Sequence, residues 1–473
     1  FFLSKTIYLL FNDKKLARYS YILLLGFFQL NCYVTFVYGT LYGLAASVAG
    51  IFLLIKYFKK RNIVNGLVGI SLLSIGYGFK SNYLIMIVAA CLLLLFDAIV
   101  KKSLKSVISL VWGIVFYVVV VTSISSTIYH LTGKKVDEGT PNTAWVAMGL
   151  QESYKAPGWW NGYNAKVFAD NEYDISKTKE AISQNISERM EELKKDKDYT
   201  MSFFSKKTAS QWSEGTFECF YITNLDRGRL SNPTWTDSVK NLMVDGHSAN
   251  RAVTTICNYF IVFLWLGIIL FLIFDFRKLD AYKLIFAITF IGGFLFHLVW
   301  EAKGQYTIIY AYLMIPYMLR GYQLLLRRVC NISLGEKEAK EKRGTIIPVV
   351  VIALVVIVIG ISNNKVVNET IKLNGDKERY ESYMSHQIDD LDDGYYTIIP
   401  GNDSSVTLAG LIDNDKKYSD KFAVDCSLIS LCNKNSNGIS DQSLGILEGK
   451  IDPGTSVGLS ATDRSIFQRW IVK

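Results

Sequence analysis

"LFHLVWEAKGQYTIIYAYLMIPY", residues 295–317, places Glu301 and Lys303 between two long apolar runs, with His297 one helical turn earlier. Apolar segments of this kind exclude charge unless the charge has a task, because an ionised group in hydrocarbon is costly. The stretch reads as two membrane-spanning helices joined by a tight polar hairpin. That reading decides the fold of the whole chain.

The same pattern recurs on both sides of the hairpin. The 473 residues are 50% hydrophobic and 14% aromatic with only seven prolines, a balance that excludes disorder and fits a bundle of bilayer spans. A span needs about 20 mostly apolar residues. Nine are expected, at 20–39, 41–58, 63–80, 82–100, 106–128, 256–276, 281–300, 306–325 and 345–363. Residues 1–11 read as the end of another span or an interfacial helix. The chain opens in mid-pattern with "FFLSKTIYLLF", so an N-terminally truncated fragment is expected.

Basic residues orient the spans. Lys14, Lys15 and Arg18, "KYFKKR" (56–61), "KKSLK" (101–105), "RKLDAYK" (277–283) and the run from Arg320 to Arg343 all fall where strict alternation puts one side. The positive-inside rule makes that side cytoplasmic. The net charge of +9 is then a topology signal directed at anionic membrane lipid, and no nucleic-acid partner is expected.

The expected fold class is therefore an α-helical polytopic membrane protein with two large extracytoplasmic pieces. Residues 1–128 and 256–363 form the membrane helices of one bundle. Residues 129–255 form an extracytoplasmic loop subdomain. Residues 364–473 form an extracytoplasmic, mainly β domain, because short β-branched runs such as "GYYTIIPG" and "KFAVDC" are separated there by Gly, Asn, Asp and Ser. The expected location is the cytoplasmic membrane, crossed several times.

In this arrangement Lys80, in "GYGFKSNYL", and the pair Glu301–Lys303 lie on outer hairpins at the bilayer boundary. A lysine at a span end can serve simply as an interfacial anchor. The turn at 301–305 is too short for a solvated loop, however, and it holds Glu301, Lys303, Gln305 and Tyr306 together. Cations at this depth suit a lipid-linked phosphate, so Lys80 and Lys303 are candidate phosphate ligands. Glu301, Gln305, Tyr306 and His297 are candidates for the surrounding pocket. In the outer loop "APGWWNGYN" (156–164) sets Trp159 and Trp160 beside amide donors, the usual surface for a sugar ring, although such tryptophans also pack small subdomains. The segment 176–196 is amphipathic, with Ile182, Ile186, Met190 and Leu193 at helical spacing.

Four stretches together resemble the polytopic glycosyltransferases of the GT-C superfamily, in particular the bacterial protein-O-mannosyltransferase-like and aminoarabinose-transferase-like group. They are "FKSNYLIMIVAA" (79–90), "NTAWVAMGL" (142–150), "ERMEELKKDKDYTMSFFSKKTASQW" (188–212) and the hairpin 295–317. The resemblance runs over 20–325. It implies transfer of a sugar from a polyprenyl-phosphate carrier to a glycan, lipid or protein acceptor on the extracytoplasmic face, with inversion and a general base. It also implies sugar or acceptor contacts at Trp159, Trp160, Lys207 and Trp212. Gln305 stands where the group often has Arg. The acidic first outer loop of the group is not in the sequence, so no catalytic residue is named and the base is expected in the missing N-terminal region.

Two other functions are compatible with a long outer loop: a polysaccharide polymerase or ligase of the envelope, and a transporter or flippase. The latter predicts internal repeats, which are not evident. No CxxC, HExxH or paired His–carboxylate spacing suggests a metal, and no Walker or dinucleotide motif appears. No cofactor is assigned, and a divalent metal stays open.

Overall fold

The computed structural model describes residues 1–36, 38–134, 139–153, 156–220, 237–243, 248–275, 280–328 and 347–371, with short strand segments between 395 and 472. The described part up to 371 is helical. Helices α1 (Phe2–Phe11), α2 (Lys14–Leu25) and α3 (Phe28–Cys32) lead into α4 (Thr40–Lys60), α5 (Ile63–Phe79), α6 (Leu84–Val100) and α7 (Leu104–Thr132). The outer loop supplies α8 (Thr143–Gly149), α9 (Tyr163–Asp170), α10 (Ile175–Lys195) and α11 (Lys197–Trp212). Then follow α12 (Asp237–Met243), α13 (Ser248–Phe274), α14 (Ile285–Val299), α15 (Gly304–Arg328) and α16 (Ile347–Ile371).

Local chemistry sets many of the boundaries. The side chains of Asp13, Asn62, Ser103, Asp174 and Asp196 accept backbone N–H groups at the starts of α2, α5, α7, α10 and α11. Small residues let helices approach closely, as membrane helices require. On the α4–α5 seam, a methyl group at Gly50 would lie 2.6 Å from the Gly69 carbonyl, and one at Gly76 would lie 2.3 Å from Ser47 Oγ.

Among the described residues, five helical segments are long and apolar enough to cross a membrane: Thr40–Lys60, Ser81–Val100, Leu104–Thr132, Ser248–Phe274 and Ala281–Val299. Helix α7 decides what surrounds them. It buries Ser106, Ser109 and Gly113. Val107, Ile108, Val111, Ile114, Val115, Val118 and Val119 are left exposed. A helix in water would do the reverse. This inverted pattern is that of a helix whose outer face meets lipid.

Nine spans are therefore not supported. Segment 20–39 is not one helix: α2 stops at Leu25, and only α3 and a 3-10 turn at Tyr33–Thr35 follow. Polar side chains break it. Asn31 Nδ2 donates to the Leu25 carbonyl at 3.0 Å and Gln29 Nε2 to the Gly215 carbonyl at 2.9 Å. Segments 63–80, 306–325 and 345–363 are helical, as α5, α15 and α16, without joining the five. The β-rich domain expected at 364–473 is not supported. Residues 364–371 continue α16, and the rest lies outside the described residues except for strand segments such as Lys421–Asp425 and Ile446–Lys450.

The described members of the basic clusters share one end of the bundle. Arg61 forms a two-pronged ion pair with Asp97 (2.5 and 2.7 Å), and Lys105 Nζ donates to the Arg61 carbonyl at 3.0 Å. Lys59 reaches the Leu9 carbonyl at 2.7 Å, and Phe58 stacks on Tyr282. Arg320 pairs with Asp275 at 2.9 Å, and Gln323 donates to Asp13 at 2.6 Å.

Candidate functional site

The opposite end gathers the residues singled out from sequence. Helix α14 ends at Val299 and α15 starts at Gly304, leaving Trp300–Lys303 as a hairpin wedged under the outer loop. It is held at two points. Trp159 and Ala302 form a parallel bridge, with the Ala302 N–H donating to the Gly158 carbonyl at 2.7 Å. Lys207, only 1% exposed, extends from α11 and donates to the carbonyls of Gly149 (2.5 Å), Leu298 (3.0 Å) and Trp300 (2.9 Å). Burial pushes the Lys207 pKa down to about 7, with Glu301 pulling the other way. The glycines are required here: a methyl group on Gly158, whose φ is +77°, would sit 2.7 Å from Lys207 Cε, and one on Gly149 would strike Trp300.

So fixed, the hairpin buries the Glu301 carboxyl to 1% exposure. Lys303 Nζ lies 3.1 Å from Glu301 Oε1, and the Tyr306 hydroxyl donates to Oε2 at 3.1 Å. Burial raises the Glu301 pKa against the pull of Lys303 and Tyr306. Burial also opposes the Lys303 charge, but Glu301 and Glu218 outweigh it and the pKa is raised.

Lys80 arrives from the α5–α6 connection. Its ammonium donates to Thr40 Oγ1 at 3.0 Å and lies over two rings, 4.6 Å from the Tyr38 centroid and 5.2 Å from that of Tyr306. Lys303 approaches the same Tyr306 ring to 5.9 Å. The two lysines thus converge on one tyrosine from separate hairpins. Lys80 has no carboxylate within ion-pair distance among the described residues. Burial, then repulsion from Lys303, lowers its pKa to about 7. Gly39 makes the approach possible: its φ is +71°, and a methyl group there would sit 2.2 Å from the Phe79 carbonyl oxygen. Gly39→Ala should therefore displace the Tyr38–Thr40 wall of the site. The expected loss is about 1–3 kcal/mol of stability, measured as a lowered unfolding midpoint in detergent. An unchanged midpoint would show that the segment relaxes freely.

The remaining sequence-selected residues have other surroundings. His297 is buried and stacks on Tyr306 (centroids 5.7 Å apart). Gln305 is buried, and its backbone N–H donates to Glu218 Oε2 at 3.3 Å. Trp159 is buried, with its indole N–H donating to Ser210 Oγ at 2.7 Å. Trp212 packs among Phe290, Phe294 and Tyr310. Trp160 is 41% exposed, the one of these three tryptophans open to a soluble partner. Lys207, Trp159 and Trp212 thus anchor the outer loop on the bundle and are not presented at a surface. In α10, Ile182, Ile186 and Leu193 pack inward as expected, whereas Met190 is exposed.

Sequence reading missed one element of the site. After α11, "SEGTFECF" (213–220) folds into a buried turn with Phe217 and Glu218 at positive φ (51° and 60°). The Gly215 N–H donates to Asn258 Oδ1 at 2.8 Å, and the Tyr33 hydroxyl donates to the Phe217 carbonyl at 2.5 Å. The turn delivers Glu218 to the start of α15. Its signal in the sequence was slight: two acids between aromatics, directly after Trp212. Among the described residues, no group of three or more His, Cys, Asp or Glu is placed to hold a metal ion. His247 and His386 lie outside the described residues.

Comparison with protein-family models, with curated proteins and with solved structures finds no match to this chain.

Proposed function

We propose that this site binds the phosphate of a lipid-linked sugar and that the protein transfers the sugar to an acceptor. The reading makes it a GT-C-like glycosyltransferase of the cytoplasmic membrane, using a polyprenyl-phosphate carrier at the extracytoplasmic face. One observation carries it: Lys80 and Lys303 meet over Tyr306, and among the described residues Lys303 alone of the two has a carboxylate partner. Two ammonium groups held at such range repel, and a bound anion removes the repulsion. The boundary of an apolar bundle is where a carrier phosphate sits when its chain lies in lipid.

In the reaction, an acceptor hydroxyl attacks the anomeric carbon as the bond to the carrier phosphate oxygen breaks, with inversion. Negative charge develops on the departing phosphate. Lys80 and Lys303 are fixed where they can stabilise it without reorganising, the usual source of the largest rate effects. Glu301 holds Lys303 in place, and its buried carboxylate is itself braced by Tyr306. The acceptor's proton is taken by a base that this reading leaves unassigned.

The pH dependence of carrier binding tests this. Lys80 loses its proton as pH rises through about 7, so its attraction for an anion is full below that pH and fades above it. A polyprenyl-phosphate sugar is a phosphodiester and keeps one negative charge throughout. Its dissociation constant should hold nearly steady from pH 5.5 to 6.5 and rise at least tenfold between pH 7 and 9, with the rise absent in Lys80→Arg. A flat profile in the wild type would remove Lys80 from the site.

A further inference from the structure

One helical turn deeper than Tyr306 lies a second polar group that the two lysines do not explain. Gln211 and Tyr310 are fully buried, Gln305 nearly so. Both polar atoms of the Gln211 side chain, the Tyr310 hydroxyl and Gln305 Oε1 have no hydrogen-bond partner among the described residues. Gln211 and Tyr310 lie where α11 packs against α15, and Gln305 lies more than one turn earlier on α15. Tyr310 follows Tyr306 by four residues on the same face of α15. Its ring meets His297 edge-on at 6.0 Å and Trp212 at 6.0 Å, and Gln211 precedes Trp212. The Thr307 hydroxyl donates to the Gln211 carbonyl at 2.9 Å, fixing α11 against α15 at this level. A glycine completes the seat, because a methyl group on Gly293 would sit 2.4 Å from the Tyr310 ring. Buried polar groups are almost always partnered, and several orphaned atoms at one helix contact imply a partner from outside the chain.

The character of that partner follows from the groups present. Gln211 offers a donor and an acceptor, Tyr310 a hydroxyl and Gln305 an acceptor, and His297 adds an imidazole. Among the described residues the nearby carboxylates are engaged: Glu301 is held by Lys303 and Tyr306, Glu218 accepts the Gln305 N–H, and Glu214 accepts the Thr216 N–H. No cation is open to them either, since the Lys207 ammonium is engaged by three carbonyls. A charged sugar would lie here without a counter-ion, whereas alternating donors and acceptors match a ring of hydroxyls. We propose that this cluster holds the sugar ring of the donor and selects an uncharged hexose over a cationic amino sugar or an anionic uronic acid. The inference rests on the carrier-phosphate reading above and adds Gln211 and Tyr310 to the site.

The test compares binding to the purified protein of plain undecaprenyl phosphate with undecaprenyl phosphate bearing glucose, mannose or galactose, 4-amino-arabinose, or glucuronate. At least one neutral hexose should bind about tenfold more tightly than the plain carrier, the scale of one or two well-made buried hydrogen bonds. That ratio should fall towards one in Tyr310→Phe, a variant that keeps the ring and its packing, and in Gln211→Leu. Equal affinity for plain and hexose-bearing carriers in the wild type would mean that the cluster holds only water, and the subsite falls while the phosphate site stands. Tightest binding of the amino or uronic sugar would overturn the assignment of charge. If neither the plain nor any sugar-bearing carrier binds, the phosphate reading fails and the subsite with it.

Discussion

Lys80→Ala is expected to abolish sugar transfer and to weaken carrier binding by one to two orders of magnitude. The lysine faces Tyr38, Tyr306 and Thr40 with no carboxylate at ion-pair distance among the described residues, so its charge is available to a ligand. A charge-assisted hydrogen bond to phosphate in a partly buried site contributes on the order of 1.5–3 kcal/mol, which corresponds to roughly ten- to a hundred-and-fiftyfold in affinity. The fold should survive, because Ala removes a charge whose burial is unfavourable and leaves only the Thr40 hydroxyl without its donor. Equilibrium binding of a radiolabelled carrier, with the unfolding midpoint as control, measures both. Glu301→Gln should act through Lys303 and reduce transfer by less. Full transfer in both variants would return these residues to the role of interfacial charges.

Lys207→Met should have the larger effect on stability. The ammonium is the common donor to carbonyls of Gly149, Leu298 and Trp300, and so ties α8 and α11 to the hairpin that carries Glu301 and Lys303. Methionine fills much of the space and supplies no donor, leaving three buried carbonyls unsatisfied. The loss is expected at about 3–5 kcal/mol, the range for removing one partner of a buried charged network. A fall in unfolding midpoint and faster proteolysis of the outer loop would both follow. A midpoint within experimental error of wild type would show that water replaces the ammonium and that the hairpin is held by the Trp159–Ala302 bridge alone.

The helices were legible because apolar run length and composition set them, and α4 to α7 begin and end within a few residues of the expected spans. Segment 20–39 was misread for a related reason: its mean apolarity resembles a span, but Gln29 and Asn31 have partners that only the folded chain supplies. The hairpin charges were legible in the same way, since charge in an apolar run is conspicuous. Their neighbours were not. Tyr38 and Thr40 reach Lys80 through a glycine turn against Phe79, and Glu218 arrives from a buried turn 83 positions before Glu301. Residue type misled in the outer loop, where Trp159, Lys207 and Trp212 have the chemistry of a sugar surface and the burial of a joint. The orphaned polar atoms of Gln211 and Tyr310 have no sequence signature at all, being defined by what does not surround them.

The most direct test of the two-lysine site is an experimental structure of the protein in lipid with undecaprenyl phosphate bound. The phosphate should lie within hydrogen-bond reach of Lys80 Nζ, close enough to Lys303 to share its charge and beside the Tyr306 ring. Its isoprenoid chain should leave between apolar helix faces into the bilayer. A phosphate seated elsewhere, with Lys80 still against Thr40 and Tyr38, would contradict the account.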